Sequence, residues 1–132
     1  MAAIDDVTKS ILTGDSSVEL ALIFGSMAKG SGHPQSDVDI ALAGRYPLPP
    51  EKLVDLATRL TLALGREVDL VDLNAVSSAI LREALTNGRV LLNKNPELFG
   101  AIIKRMWYDQ ADMMPYVRRI LTERRKSFLD EP

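Results

Sequence analysis

The chain has 132 residues, 46% of them hydrophobic and 26% charged, with 16 Lys and Arg against 18 Asp and Glu. This length and balance fit one compact domain with its own core. The sequence has no cysteine and one histidine, which excludes disulfides, a cysteine nucleophile and zinc sites built from cysteines or several histidines. The net charge of −2 does not favour duplex-DNA binding, so we expect no dedicated nucleic-acid partner.

The sequence also lacks the patterns of a membrane protein or a secreted one. Its longest apolar run, Leu20–Phe24, is far shorter than the ~18 residues that suggest a membrane span. The first six residues carry acids where a signal peptide would be basic. We therefore expect no membrane association and a cytoplasmic location.

Apolar periodicity and turn residues predict alternating strands and helices. Compact apolar runs that end at turn signals predict strands, and apolar residues three or four positions apart predict helices. In chain order the predicted elements are a helix over Ile4–Leu12, strands over Val18–Phe24 and Val38–Ala43, a helix over Pro50–Leu64, a strand over Val68–Leu73, a helix over Val76–Thr86, a strand over Val90–Leu92 and a helix from Pro96 onward.

Proline and glycine set several of these boundaries. Pro50 suits the first position of a helix because its φ is fixed, and Gly65 and the Asn87-Gly88 pair are typical helix ends. The last helix carries an apolar stripe over Leu98–Leu121, and Pro115 within that stripe should kink or split the helix.

Strands that alternate with helices predict an α+β (α/β-like) fold, in which a small mixed β-sheet is flanked by helices. We assign residues 1–95 to this domain and residues 96–132 to a C-terminal helical extension. The extension packs either back on the domain or on a partner, and the sequence leaves both open.

The strongest candidates for chemistry are two acids at the start of the second predicted strand. Asp37 and Asp39 are two residues apart in an extended segment, so their side chains project from the same face and can share cations. Mg²⁺ prefers such oxygen ligands, and a pair of these ions can steady the attacking and leaving oxygens of phosphoryl transfer. An isolated Asp-x-Asp is more often a solvated turn, so the pair alone indicates little.

A third acid is expected from the third predicted strand, where Asp69 and Asp72 fall on opposite faces. We favour Asp69, because an acid between Val68 and Leu70 needs a partner such as a cation to offset its desolvation. There it could also accept the proton of an attacking hydroxyl. The alternative is a solvent-facing residue on an edge strand. Asp72 is better explained as the end of the strand.

Gly25 and Ser26 fit a phosphate-binding turn, because glycine lets the backbone approach closely and exposed amides with a hydroxyl hold phosphate oxygens. The segment is not a Walker loop, since Ser31 stands where that loop requires lysine. Lys29 either contacts phosphate or is solvated, and both interpretations stay open.

Together, Phe24–Ser26, Ser36–Asp39 and Val68–Asp72 resemble the nucleotidyltransferase superfamily of the DNA polymerase β type. Ten residues separate the first serine from the first aspartate, and this spacing is the specific part. A chain of this length is similar to the minimal members of the superfamily, the MntA-like MNT antitoxins that accompany HEPN-domain ribonuclease toxins.

The resemblance implies transfer of a nucleoside monophosphate from an NTP, here ATP, to a hydroxyl, with release of pyrophosphate. It implies a nucleotide-binding set of Gly25, Ser26, Lys29 and Ser36. It implies that two Mg²⁺ ions and the catalytic role belong to Asp37, Asp39 and Asp69. In the antitoxin branch the acceptor is a tyrosine hydroxyl of the HEPN toxin, with which the chain would form a hetero-oligomer.

Two other functions stay open at this point. The chain could neutralise a toxin by stoichiometric binding without catalysis, or it could transfer a nucleotide to a small molecule such as a drug. An Asp37→Asn variant separates the first of these from the catalytic hypothesis, because only a catalytic antitoxin would lose its neutralising activity.

Overall fold

A computed structural model gives the fold and describes residues 2–28 and 36–108. Its elements are α1 (Ala2–Thr13), β1 (Leu20–Phe24), β2 (Val38–Ala43), α2 (Pro50–Leu64), β3 (Val68–Asp72), α3 (Ser78–Asn87), β4 (Arg89–Asn93) and α4 (Pro96–Tyr108). The predicted elements are confirmed, and their ends within the described residues shift by at most two positions. Pro115 and the rest of the predicted stripe lie outside the described residues.

The four strands form one mixed sheet in the order β3-β2-β1-β4. β1 pairs antiparallel with both β2 and β4, whereas β2 pairs parallel with β3. A parallel pair needs a crossover connection, and α2 supplies it between β2 and β3. The predicted α+β class with a small mixed sheet is confirmed, and β3 is an edge strand.

Helices cover both faces of the sheet. Alternate residues of β2 point to one face, where Ile40 and Leu42 are fully buried with Leu12 of α1 and Leu56 of α2. The residues between them point to the opposite face, which α3 and α4 cover. That second core contains Ala41, Ala43, Leu81, Ala84 and Ile102. Because Asp39 has the parity of Ala41, it lies on the α3/α4 face.

The two helix ends predicted from glycine are both present, but for different reasons. Gly65 ends α2 in the left-handed conformation, at φ 67°, and its N–H donates to the carbonyl of Thr61. Gly88 follows α3 at φ −80°, which any residue can adopt. A Cβ on Gly88 would overlap the carbonyl oxygen of Ala84 and lie 3.2 Å from that of Ile23, so close packing favours glycine there.

The first part of the C-terminal helix packs on the domain itself. Ile102 is buried, and Leu98, Phe99 and Met106 pack around the same core on the α3/α4 face. Trp107 at the end of α4 is about half exposed. In the part of the chain that the structure describes, no helix has the length and apolar character needed to cross a bilayer.

Candidate active site

One edge of the sheet carries several of the residues singled out in the sequence. β1 runs towards this edge and β2 and β3 start from it, because β1 is antiparallel to β2 and β2 is parallel to β3. Asp39 faces Phe24 on one side and Asp69 on the other in the strand register. Gly25 follows β1 directly and Asp37 precedes β2 by one residue. The fold therefore places both aspartate segments beside the predicted phosphate-binding turn.

Asp39 is the electrostatic centre of this edge. Partial burial raises the pKa of its carboxyl, and the neighbouring charges of Asp69 and then Asp37 raise it further. Like charges disfavour the ionised form of a carboxyl, and a cation between them removes that penalty. A positive charge placed here would therefore stabilise the ionised form of Asp39.

Gly25 lies against the carboxylate of Asp39. Its φ is +71°, and a Cβ built on it would overlap Oδ2 of Asp39. We expected glycine here so that the backbone could approach a phosphate. The structure adds a second reason, because only glycine leaves room for the Asp39 carboxylate and tolerates this backbone conformation. The turn and the aspartate segment are consequently held in direct contact.

Asp69 lies opposite Asp39, but the reason we gave for choosing it is wrong. Asp69 is exposed, so it has little desolvation to offset. It is the second residue of the edge strand β3. The opposite end of this strand leads to Leu73, which is buried in the core on the α3/α4 face. Its position beside Asp39, and not burial, is what supports its choice as the third acid.

Asp72 has a structural environment. It is 4% exposed, and its carboxylate accepts the N–H of Leu48 at 2.7 Å and that of Asn74 at 2.8 Å. These hydrogen bonds hold the loop between β2 and α2 against the end of β3. The interpretation of Asp72 as the end of its strand is confirmed.

The remaining nucleotide-binding candidates are placed in part. Ser26 is exposed in the turn after β1, and Ser36 is partly buried just before Asp37. Lys29 lies outside the described residues. The assignment of all four residues to nucleotide binding stays a prediction.

The donor set at this edge fits Mg²⁺. Asp37, Asp39 and Asp69 offer only carboxylate oxygens, which are the ligands this ion prefers. Within residues 2–28 and 36–108, however, no three Asp, Glu, His or Cys side chains lie as close together as the ligands of one metal ion. The three carboxylates lie at one edge of the sheet without forming a finished ligand cage, and the magnesium site stays a prediction.

Arg66 is a basic residue at the same edge that we did not single out in the sequence. Its Nη1 donates to Sδ of Met27, 3.4 Å away, in the turn that begins at Gly25. The contact joins residues far apart in the chain, so no local pattern reveals it. The available signal was a basic residue three positions before Asp69.

The sequence also matches a known protein family. The family model "Polymerase beta, Nucleotidyltransferase" matches residues 7–97. The chain is 36% identical over 85 residues to the protein adenylyltransferase MntA of Shewanella oneidensis, across 63% of this chain and 61% of that protein. It therefore spans about three fifths of the length of that curated relative.

Two solved structures share the fold over most of the chain. One is a crystal structure of a toxin-antitoxin with AMP-PNP, with 28% identity, a TM-score of 0.71 and coverage of 89% of this chain and 98% of that chain. The other is a tri-AMPylated Shewanella oneidensis HEPN toxin in complex with an MNT antitoxin, with 25% identity, a TM-score of 0.66 and coverage of 89% and 96%. The chain belongs to the polymerase β nucleotidyltransferase family.

Proposed function

We propose that the chain is a Mg²⁺-dependent protein adenylyltransferase, which acts as an antitoxin by transferring AMP from ATP to a tyrosine hydroxyl of a HEPN ribonuclease toxin. The observation that carries the chemistry is the pairing of Asp39 with Asp69 at the edge where Gly25 contacts Asp39. The acceptor is supported by the relatives, one of which is a protein adenylyltransferase and another a complex of an MNT antitoxin with an AMPylated HEPN toxin.

The turn after β1 is proposed to bind the triphosphate. Gly25 and the exposed Ser26 offer backbone N–H groups and a hydroxyl, and such groups are effective donors to phosphate oxygens. Lys29 and Ser36 complete the proposed set. Because Gly25 also contacts Asp39, phosphates bound at this turn would lie beside the acidic group.

The acids are proposed to carry the transfer. The acceptor oxygen forms a bond to the α-phosphorus of ATP, and the bond from that phosphorus to the bridging oxygen of the β-phosphate breaks, so that pyrophosphate leaves. Asp69 is exposed and can accept the proton of the acceptor hydroxyl and pass it to solvent. Mg²⁺ held by Asp37, Asp39 and Asp69 would supply positive charge for the triphosphate oxygens.

This proposal makes the HEPN toxin both substrate and partner. The two proteins would form a hetero-oligomer in the cytoplasm, where ATP is available. An exposed acid beside the proposed triphosphate site suits this role, because the tyrosine of a folded protein must reach it from outside.

The decisive experiment measures the intact mass of a HEPN protein encoded beside this chain after incubation with ATP and Mg²⁺. We expect one or more AMP units with the wild type and none with Asp37→Asn, which changes an exposed side chain. Asp55→Asn is the matched control, because Asp55 is an exposed carboxylate on α2 that pairs with Arg59. This control should add AMP as the wild type does.

The same experiment separates the other candidate functions. A toxin that stays unmodified, but is bound and neutralised by the wild type and both variants, would indicate a non-catalytic antitoxin. A chain that adenylylates an aminoglycoside and leaves the toxin unmodified would indicate a small-molecule enzyme.

A further inference from the structure

The outer side of β3 carries backbone groups that face no other described strand. The carbonyl of Glu67 accepts an N–H of β2 at 2.9 Å, and the N–H of Leu73 donates to a carbonyl of β2 at 2.8 Å. The backbone groups of successive residues in a strand point to opposite sides, so the odd-numbered residues of this segment bond to β2. The N–H and C=O groups of Val68 and Leu70 therefore point away from the sheet. Of the strands that the structure describes, none lies on that side of β3.

Asp69 lies between these two outward-facing residues. It is exposed, and its register partner in β2 is Asp39, on the α3/α4 face. Glu67 is also exposed and precedes Asp69 by two positions, so in an extended backbone its side chain lies on the same face. The outer edge of β3 is therefore acidic where it passes the candidate active site.

The other face of this edge has an open groove. The groove has a volume of about 790 Å³, lies between α2 and β3, and is lined by Thr61, Leu62 and Val68 among others. Val68 belongs to the core on the α1/α2 face, so the groove lies on that face and away from the three aspartates. Leu62 is 79% exposed. One face of the edge is thus acidic, and the other presents an apolar side chain beside open space.

A strand added at this edge would divide its side chains between the two faces. Its backbone would bond to the outward groups of Val68 and Leu70, which is how extended peptides bind to free sheet edges. The side chain opposite Asp69 would lie on the acidic face, and its two neighbours in the added strand would lie on the groove face. A tyrosine opposite Asp69 therefore has its hydroxyl on the side of the sheet that carries the carboxylates.

The charge of the edge argues against a second copy of this chain as the added strand. In an antiparallel pairing of two β3 strands, acids of the two copies fall directly or diagonally across from one another, whether the pairing centres on Val68, Asp69 or Leu70. Like charges at such positions are destabilising, whereas a basic residue across from Glu67 would be favourable. The partner that fits is an extended segment with a tyrosine and a basic residue two positions apart.

We propose that the outer edge of β3 is the docking site of the acceptor protein. An extended segment of the toxin pairs with β3 and places the tyrosine that receives AMP across from Asp69. A neighbour of this tyrosine enters the groove beside Leu62, and a basic residue two positions away faces Glu67. The docking site rests on the proposed function, because it concerns how the acceptor of that reaction is bound.

The first test measures amide hydrogen exchange in the full chain, alone and in complex with the HEPN protein of the mass experiment, without ATP. The N–H groups of Val68 and Leu70 should exchange rapidly in the free chain and at least about tenfold more slowly in the complex, because pairing gives them acceptors. The N–H groups of Asp69 and Val71 bond to β2 and should exchange slowly in both states. This alternation distinguishes strand pairing from simple coverage of the surface.

The second test removes one outward donor. Leu70→Pro lacks the N–H that points away from β2 and keeps the bonds between β2 and β3, because proline is tolerated at such positions of edge strands. It should raise the KM for the HEPN protein about tenfold, which is typical for the loss of a hydrogen bond, and leave the KM for ATP unchanged. Leu70→Ala is the matched control, since it shortens the same side chain and keeps the N–H. Its KM for the HEPN protein should stay close to that of the wild type.

A groove variant carries the test if Leu70→Pro does not fold. Leu62→Ser changes an exposed side chain of α2 and should raise the KM for the HEPN protein several-fold, because an apolar contact is lost. Val54→Ser is its control. Val54 is also an exposed apolar residue of α2 but does not line this groove, so the KM should not change.

Unchanged exchange of Val68 and Leu70 in the complex, or an unchanged KM in both Leu70→Pro and Leu62→Ser, would overturn the docking site. Slow exchange of both N–H groups in the free chain would also overturn it, and a dependence of that protection on chain concentration would identify a second copy as the occupant. If the wild type still adds AMP to the HEPN protein in these cases, only the docking site fails. If the wild type neither binds nor modifies that protein, the proposed function fails with it.

Discussion

The two ends of β3 carry the same dipeptide, Val-Asp, in different environments. At the start of the strand Asp69 is exposed and lies beside Asp39, whose pKa it helps to raise. At the end Asp72 is buried and accepts two backbone N–H groups. An acid that binds backbone donors stabilises the fold, whereas an acid that faces another acid is repelled by it. The partners of each carboxylate, and not the shared Val-Asp sequence, distinguish the two environments.

The strongest test of this comparison is to remove the charge of Asp69. Asp69→Asn should lower the rate of AMP transfer about 10²- to 10⁴-fold, because a general base contributes an effect of that size. The thermal midpoint should stay the same or rise, since a repulsive charge beside Asp39 is removed. Single-turnover transfer and thermal unfolding measure the two effects. A variant that transfers AMP at the wild-type rate would contradict the role of Asp69.

The converse change removes the structural acid. Asp72→Ala leaves the N–H groups of Leu48 and Asn74 without their acceptor, which should cost about 2–4 kcal/mol of unfolding free energy. Urea unfolding measures the loss, and transfer per folded molecule should stay within a few-fold of the wild type at low temperature. Unchanged stability would show that the hydrogen bonds of Asp72 contribute nothing measurable.

A third change acts on the contact between the turn and Asp39. Gly25→Ala adds a Cβ that overlaps Oδ2 of Asp39 at a left-handed φ, so it should cost about 1–3 kcal/mol and abolish transfer. Gly100→Ala in α4 is the matched control. A Cβ there meets nothing within 4 Å, so it should stabilise the helix by about 0.5–1 kcal/mol. Chemical denaturation of both variants tests the pair, and equal stabilities would contradict the overlap.

The smallest expected effect concerns pH. Burial alone would raise the pKa of Asp15, but hydrogen bonds from Ser17 and Lys52 outweigh it and lower the pKa from 3.8 to about 2. The carboxylate therefore stabilises the fold above pH 4, and this contribution is lost between about pH 4 and pH 2. It amounts to about 1–2 kcal/mol, allowing for the partly exposed Lys52.

Asp15→Asn should remove this part of the acid sensitivity when unfolding free energy is measured from pH 6 to pH 2. The raised pKa of Asp39 changes stability in the opposite direction. Ionisation of Asp39 lowers the unfolding free energy as the pH rises through that pKa. A variant as acid-sensitive as the wild type would show that Asp15 does not carry the effect.

Local patterns predicted most of the fold. The limits of β2 and α2 were correct to the residue. Those of α2 were predictable because Pro50 and Gly65 act through their own backbone preferences. The alternation that predicted Asp37 and Asp39 on one face agrees with the burial of Ile40 and Leu42 on the other face. The packing of helices on both faces of the sheet was only partly predictable, because it depends on the face to which each helix crosses.

The candidate site depended on information that no local pattern contains. Asp39 and Asp69 become neighbours through the parallel pairing of β2 with β3, and strand order was not readable from the sequence. The exposure of Asp69 follows from the edge position of that strand. The overlap of Gly25 with Asp39 and the contact of Arg66 with Met27 both depend on tertiary packing, so they were found only in the structure.

The exposure of Asp69 on an edge strand has a kinetic consequence under the proposed function. Because Asp69 is exposed, an acceptor can reach it without entering a cavity that would select it by shape. Selectivity then comes from how long the toxin stays bound with its tyrosine near Asp69. Binding raises the effective concentration of that hydroxyl to the order of millimolar or more. Transfer within the complex would be first order, and a free tyrosine in solution would react slowly at the same acids.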